Sequence, residues 1–205
     1  MSIALVCIGN EILDGDTLNT NLQALARSLK QWGYAISEEV CICDTPQAIE
    51  EQLNRLLRTA KLIFTIGGLG PTRDDLTRET IARLLNKKLV LDQDLMEKIS
   101  SRFRHRNSPD FEQARRKQAT IIEGAKVLFN HWGIAPGLWC LLPDDKVICM
   151  LPGPPRECVP MIQHYLPELL KTLMPPQRAC VTLPVFGIGE SSVAAQTDPV
   201  LADYP

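Results

Sequence analysis

The sequence lacks the features that mark several large classes of protein. Its apolar runs, such as Ile3–Ile8, are far shorter than the roughly 20 residues that a membrane-spanning helix needs. Its first residues have neither the basic stretch nor the small-residue cleavage site of a secretory signal peptide. The net charge of −2 provides no overall basic field for nucleic acid or an anionic membrane. We therefore expect a cytoplasmic protein that binds neither nucleic acid nor a membrane.

Zinc-site and nucleophile signatures are also missing. The seven cysteines are odd in number and lie mostly in apolar runs, unlike a disulfide framework. Cys41 and Cys43 form a CxC pair, but no second pair stands at zinc-like spacing, and reduced cysteine packs as a small hydrophobe. The three histidines have no serine or cysteine partner in a recognisable elbow; they are His105, His131 and His164. The sequence predicts neither a structural zinc site nor a nucleophilic triad.

The chain does contain apolar runs that alternate with amphipathic segments. Ile3–Ile8 and Leu62–Ile66 are continuous apolar runs, typical of buried strands in a parallel sheet. Residues 34–43 are predicted as a strand between them, and helices are predicted over 18–29, 46–57 and 76–85. Alternation of this kind predicts an α/β domain with a mostly parallel sheet and right-handed crossovers.

The second half of the chain predicts a different arrangement. Helices are expected over residues 92–106 and 111–119, then a short strand over 127–129. Residues 136–142 and 147–151 are predicted to pair as strands, and a helix follows to about residue 170. A last strand is predicted over 180–186. We place the main domain at residues 1–172 and assign 173–205 to a linker and the start of a small, truncated α+β subdomain.

A glycine loop carries the strongest local signal for function. Gly67, Gly68 and Gly70 follow a buried strand and precede a helix, so backbone N–H groups can approach an anion without a Cβ in the way. The loop is neither a Walker loop nor a GxGxxG fingerprint. One of Asp74 and Asp75 could cap the helix; we favour a ligand or metal role for Asp75 and capping or solvent exposure for Asp74.

Other polar residues follow neighbouring strands and should meet the glycine loop at the carboxyl edge of the sheet. Asp44 follows the second strand, although it could instead cap the helix that begins at Pro46. Glu11 and Asn21 follow the first strand, where one of Asp16, Asn19 and Asn21 must cap a helix. A fourth loop consists of Pro152, Gly153 and Pro154. Oxygen ligands from adjacent loops suit Mg²⁺ or Mn²⁺ that bridges phosphates.

These loops together resemble the molybdopterin-binding fold of MogA and MoaB, and most closely the competence/damage-inducible protein A (CinA) branch. The resemblance rests on motifs that occur in the same order between about residues 3 and 191. They are GNEIL at 9–13, GGLGPTRDDLT at 67–77, RKQA at 116–119, GIAPG at 133–137, LPGPP at 151–155 and GIGES at 187–191. Leu69 stands where the molybdopterin enzymes usually have threonine, which favours a nucleotide ligand.

The resemblance implies a three-layer αβα domain and suggests several activities. Its CinA branch implies metal-dependent hydrolysis of a dinucleotide pyrophosphate such as ADP-ribose or FAD, with Mg²⁺, Mn²⁺ or Co²⁺. Asp44 and Asp75 would serve the metal and the phosphates, and Lys117 would contact phosphate. Thr72 and the glycine and proline loops would hold the rest of the nucleotide or pterin-like ligand. The alternatives are a molybdopterin-binding or adenylyltransferase protein, or a catalytically silent nucleotide-binding module. The family analogy also implies a homodimer or homotrimer.

Overall fold

A six-stranded sheet forms the centre of the molecule. The computed structural model describes residues 2–103, 108–173 and 184–202. The strands of this sheet, in chain order, are β1 (Ile3–Ile8), β2 (Glu38–Ile42), β3 (Leu62–Ile66), β6 (Lys126–Leu128), β7 (Gly137–Leu141) and β8 (Val147–Leu151). Two further strands, β4 (Leu89–Leu91) and β5 (Thr120–Ile122), pair separately in antiparallel orientation.

The strand order in the sheet is β2-β1-β3-β8-β7-β6. The first four strands are mutually parallel, and β7 runs antiparallel to both of its neighbours. Every residue of β1, β3 and β8 is buried, because helices cover both faces of these central strands. The mostly parallel sheet predicted from the continuous apolar runs is confirmed.

Eight α-helices accompany the strands in the described parts of the chain. They are α1 (Asn10–Leu13), α2 (Thr20–Lys30), α3 (Pro46–Leu56), α4 (Thr77–Leu84), α5 (Gln93–Arg102), α6 (Pro109–Gln118), α7 (Pro155–Leu173) and α8 (Glu190–Leu201).

Two separate cores lie on the two faces of the sheet. On one face, Leu25 and Leu29 of α2 and Met161 of α7 pack against the side chains that β1, β3 and β8 direct to that face. On the other face, apolar residues of α3 and α4 and the alternate residues of the same strands form a second cluster, which residues of α5 join. These layers give the three-layer αβα architecture that the resemblance implied.

Short polar side chains cap several of the helices, as the sequence indicated. Asn19 is the residue that caps α2, and its side chain accepts a hydrogen bond from the Leu22 amide. Thr45 caps α3 in the same way, with Pro46 at the first helical position. Asp92 caps α5, which therefore begins one residue after the predicted start.

Several predicted boundaries were wrong. The strand predicted over residues 34–43 covers only Glu38–Ile42, and the predicted loop after β1 contains the short helix α1. Strands β4 and β5 were missed, since three residues each give no usable periodicity. Within the strand predicted over 180–186, residues 180–183 lie outside the described residues and 184–186 form no strand. No helix in the described part of the chain is long and apolar enough to cross a membrane.

Candidate functional site

A cavity of about 490 Å³ opens at the carboxyl ends of the parallel strands. Its size falls within the range of roughly 300–1,000 Å³ that small-molecule sites occupy. Residues after β1, β2, β3 and β8 line it, so the four loops predicted to converge do converge. The predicted site residues in the lining are Glu11, Asn21, Asp44, Gly67, Gly68, Gly70, Asp75, Pro152, Gly153 and Pro154. Thr72 and Lys117 are not in the lining.

The glycine loop takes a conformation that only glycine adopts readily. Gly67 and Gly68 have φ angles of 111° and 63°, both in the left-handed region. A Cβ on Gly67 would lie 2.0 Å from the carbonyl oxygen of Ile8, and one on Gly68 would lie 2.1 Å from Oγ1 of Thr77. That buried hydroxyl donates a 3.0 Å hydrogen bond to the Gly67 carbonyl. The first turn of α4 thereby fixes the end of the glycine loop.

Asp75 closes the loop that follows the glycines. Its Oδ2 accepts hydrogen bonds from the backbone amide of Thr72 at 2.9 Å and from the Thr72 hydroxyl at 2.5 Å. Neither aspartate caps α4: the N-cap residue is Leu76, with no side-chain cap, and Asp74 is exposed. Asp75 therefore both lines the cavity and holds its rim.

Lys117 supports the same loop from behind. Its Nζ donates to the backbone carbonyl of Asp75 at 2.8 Å and also to the carbonyl of Thr72. The neighbouring Gln118 is fully buried, and its Nε2 donates to the Leu69 carbonyl at 2.9 Å. The RKQA segment thus positions the glycine loop by hydrogen bonds to three of its carbonyls. This contact set differs from the direct phosphate contact that the resemblance implied for Lys117.

Asp44 has an unusual electrostatic environment. Burial raises the pKa of its carboxyl group, and the nearby charges of Glu11 and Asp75 raise it further, while a hydrogen bond from the Asn10 backbone opposes them. Its Oδ1 is buried and has no hydrogen-bond partner among the described residues. A buried acceptor without a partner is costly, so this oxygen is a site where a ligand or cation would be stabilised.

Asn21 joins the first loop to the proline-glycine loop. Its Nδ2 donates a 2.8 Å hydrogen bond to the carbonyl of Gly153, 132 residues away in sequence. Its Oδ1 is a second buried acceptor without a partner in the described chain. Gly153 in turn packs against Gly67: a Cβ on it would lie 3.5 Å from the Gly67 Cα. The two glycine-containing loops are therefore in direct contact across β3 and β8.

Glu157 is a site residue that the sequence analysis missed. It lies in the first turn of α7, lines the cavity and is only 8% exposed. Its Oε2 accepts a 2.7 Å hydrogen bond from Nδ2 of Asn130, which is itself buried. The available signal was a charged residue four positions before the core residue Met161, on the buried face of the helix.

The cavity combines apolar walls with an acidic lining. Among the described residues, the lining contains four carboxylates and no lysine or arginine; the acids are Glu11, Asp44, Asp75 and Glu157. The apolar walls come from residues such as Ile12, Ile66 and Ile134. Carboxylate and amide oxygens are the donors that hard divalent cations prefer. The arrangement suits a ligand that has an apolar part for the walls and a polar part that contacts the carboxylates directly or through a bound cation.

Comparison with known proteins identifies the family. The model of the probable molybdopterin binding domain matches residues 4–171. The chain belongs to this family. Within it, the chain is a CinA-like member: it is 37% identical over 212 residues to a CinA-like protein of Dictyoglomus turgidum, a match that covers 100% of this chain and 51% of that protein. The chain thus spans about half the length of such relatives.

Solved structures agree with this assignment. The crystal structure of CinA, a protein of unknown function from Thermoplasma acidophilum, matches with a TM-score of 0.73 and 30% identity, covering 82% of this chain and 97% of that one. The molybdopterin biosynthesis enzyme MoaB from Thermus thermophilus matches with a TM-score of 0.57 and 18% identity over 86% of this chain and 99% of that one. The second similarity concerns the fold alone. The predicted molybdopterin-binding-like fold is confirmed.

Proposed function

We propose that this domain binds a phosphorylated pterin- or nucleotide-like small molecule in the 490 Å³ cavity, together with a divalent cation such as Mg²⁺, Mn²⁺ or Co²⁺. The observation that carries the proposal is the unpartnered, buried Oδ1 of Asp44 in a lining with four carboxylates and no basic side chain. A phosphate would be repelled by this surface unless a cation lay between them. The family and the MoaB-like fold support the molybdopterin-type ligand.

Different parts of the cavity would bind different parts of the ligand. The amides of the glycine loop and of the loop around Gly153 would donate to phosphate oxygens. Asp44 and Asp75, with the Asn21 amide oxygen as a neutral donor, would hold the cation. The apolar wall around Ile134 would pack against the ring system, and Glu157 would accept hydrogen bonds from amino groups on its edge.

Calorimetric titration tests this binding proposal. AMP, ADP-ribose and a phosphorylated pterin would each be titrated without metal and with Mg²⁺, Mn²⁺ or Co²⁺. We expect binding of at least one ligand that depends on the metal and is lost in Asp44→Asn. Asp74→Asn is the matched control, since Asp74 is an exposed aspartate of the same loop outside the lining and should bind as wild type does. No binding of any of the three ligands with any of the three metals would refute the proposal.

A second candidate function is hydrolysis of a dinucleotide pyrophosphate such as ADP-ribose or FAD. The observation that favours it is the buried Oδ1 of Asp44, which lines the cavity without a hydrogen-bond partner in the described part of the chain and is free to accept a proton from a water molecule. The raised pKa of this carboxyl group agrees with that role. The water oxygen would attack one phosphorus, the bond from that phosphorus to the bridging oxygen would break, and two phosphate monoesters would leave. A bound divalent cation would stabilise the charge on the phosphoryl oxygens.

Chromatographic detection of AMP separates the two candidates. Release of AMP from ADP-ribose or FAD with Mg²⁺, Mn²⁺ or Co²⁺, reduced by orders of magnitude in Asp44→Asn, would support hydrolysis. Asp44 is the better position for this test, because Asp75 also holds Thr72 and its replacement would disturb the loop. Metal-dependent binding without AMP release would leave a binding domain, either molybdopterin-type or catalytically silent. Light scattering would test the dimer or trimer that the family analogy implies.

A further inference from the structure

Two thiols and a carboxylate meet at the edge of the sheet, outside the acidic part of the cavity. Cys7 of β1 and Cys41 of β2 are direct partners in the parallel register, so both side chains point to the same face. Glu39 lies two residues before Cys41 on the edge strand and shares that face. One ligand atom from each residue lies within 4.8 Å of the other two.

We propose that Cys7, Glu39 and Cys41 form a binding site for one thiophilic divalent cation, with Zn²⁺ as the natural candidate. Two sulfur donors and one carboxylate oxygen select zinc, cobalt or cadmium over Mg²⁺, which prefers oxygen ligands alone. Three protein ligands leave a fourth tetrahedral position for water or a ligand atom, the arrangement of an open zinc site.

The distances are close to those that a tetrahedral ion requires. Oε1 of Glu39 lies 3.8 Å from Sγ of Cys7 and 3.8 Å from Sγ of Cys41. With Zn–S of about 2.3 Å and Zn–O of about 2.0 Å, tetrahedral geometry separates sulfur from oxygen by about 3.5 Å. A shift of a few tenths of an ångström in exposed Glu39 would bring its oxygen to that distance from both sulfurs. The two sulfurs lie within 4.8 Å of each other, against about 3.8 Å in tetrahedral geometry, so rotation of the cysteine side chains would complete the site.

Asn19 supplies the outer contacts that metal ligands usually have. Its Oδ1 is fixed by capping α2, which directs Nδ2 toward Sγ of Cys7 at 3.1 Å and Oε1 of Glu39 at 2.5 Å. Hydrogen bonds of this kind orient ligand atoms toward the metal. Both Cys7 and Asn19 also line the large cavity, so this cation would lie beside the proposed ligand.

Cobalt titration of the reduced full chain tests the proposal. We expect one equivalent of Co²⁺ to produce thiolate-to-metal charge-transfer absorption, which one equivalent of Zn²⁺ abolishes. Cys41→Ser and Glu39→Gln should each weaken Co²⁺ binding about tenfold or more, in line with losses at other metal sites. Neither change removes a fully buried side chain, so both variants should fold.

Two control variants make the result specific. Cys43→Ser removes the adjacent half-buried thiol, whose sulfur lies near the Thr45 hydroxyl, and should titrate as wild type does. Asp44→Asn should also retain the thiolate-to-cobalt charge-transfer absorption, because a cation bound in the acidic cavity has no sulfur ligand and this site does not rest on the proposed function. The proposal is overturned if wild type gives no charge-transfer absorption, if Cys41→Ser retains it unchanged, or if Cys43→Ser weakens it as much.

Discussion

Replacing Gly68 with alanine tests how the glycine loop is held. The left-handed conformation at this position costs an alanine about 1–2 kcal/mol. The new Cβ would also lie 2.1 Å from the Thr77 hydroxyl and force it away from the Gly67 carbonyl. Loss of that buried hydrogen bond adds about 1–3 kcal/mol. We therefore expect Gly68→Ala to lower the free energy of unfolding by about 2–5 kcal/mol.

Urea unfolding separates the conformational cost from the cost of the lost hydrogen bond. The variants are Gly68→Ala, Gly15→Ala, Thr77→Ala and the double variant Gly68→Ala/Thr77→Ala. Gly15→Ala is the matched control, since Gly15 also has a positive φ, of 80°, but its Cβ would meet nothing within 4 Å. It should cost only the conformational part, about 1–2 kcal/mol. Thr77→Ala should be destabilising in wild type and much less so in Gly68→Ala, where the hydrogen bond is already lost. Equal losses for Gly68→Ala and Gly15→Ala, or strict additivity with Thr77→Ala, would contradict the reasoning.

Three other predictions concern side chains around the cavity. Asp44→Asn should unfold at a higher temperature than wild type at pH 7. Folding raises the Asp44 pKa, so the ionised carboxylate present at pH 7 destabilises the folded state, and the neutral asparagine removes that cost. The wild-type protein becomes more stable as pH falls through the folded-state pKa toward the ordinary value of about 3.9, because Asp44 is then protonated. Calorimetric scans should therefore show a smaller difference in unfolding temperature between the two proteins at low pH. Lys117→Met should lower the free energy of unfolding by about 1.5–3 kcal/mol, because the hydrogen bonds from its ammonium group to two loop carbonyls are lost. Arg116→Met is the control: Arg116 is exposed, and its replacement should change the free energy by less than about 0.5 kcal/mol in the same urea titrations. Asn21→Asp places a carboxylate against the Gly153 carbonyl; a loss of about 1–3 kcal/mol is expected by the same measurement, and an unchanged midpoint would exclude the contact as a support of that loop.

Local signals in the sequence determined much of the fold. The continuous apolar runs of β1 and β3 predicted buried parallel strands, since a strand covered on both faces needs no polar alternation. Thr45, just before Pro46, indicated one helix start, and Asn19 was one of three candidate caps for another, because such short side chains accept a backbone hydrogen bond within three residues. Glycines at the end of β3 indicated a ligand-binding loop, and Asp44 was placed at the same edge by its position after β2.

Side-chain roles that depend on distant contacts were decided by the tertiary structure. Lys117 was assigned to phosphate, yet it hydrogen-bonds to the Asp75 carbonyl, 42 residues away. Glu157 gave no motif, and its place in the cavity depends on Asn130, 27 residues earlier. The CxC spacing drew attention to Cys41 with Cys43, whereas the parallel register places Cys41 beside Cys7. The spacing of residues in the sequence predicts contacts within one strand or helix. Partners on different strands are set by strand register and packing, which no local pattern encodes.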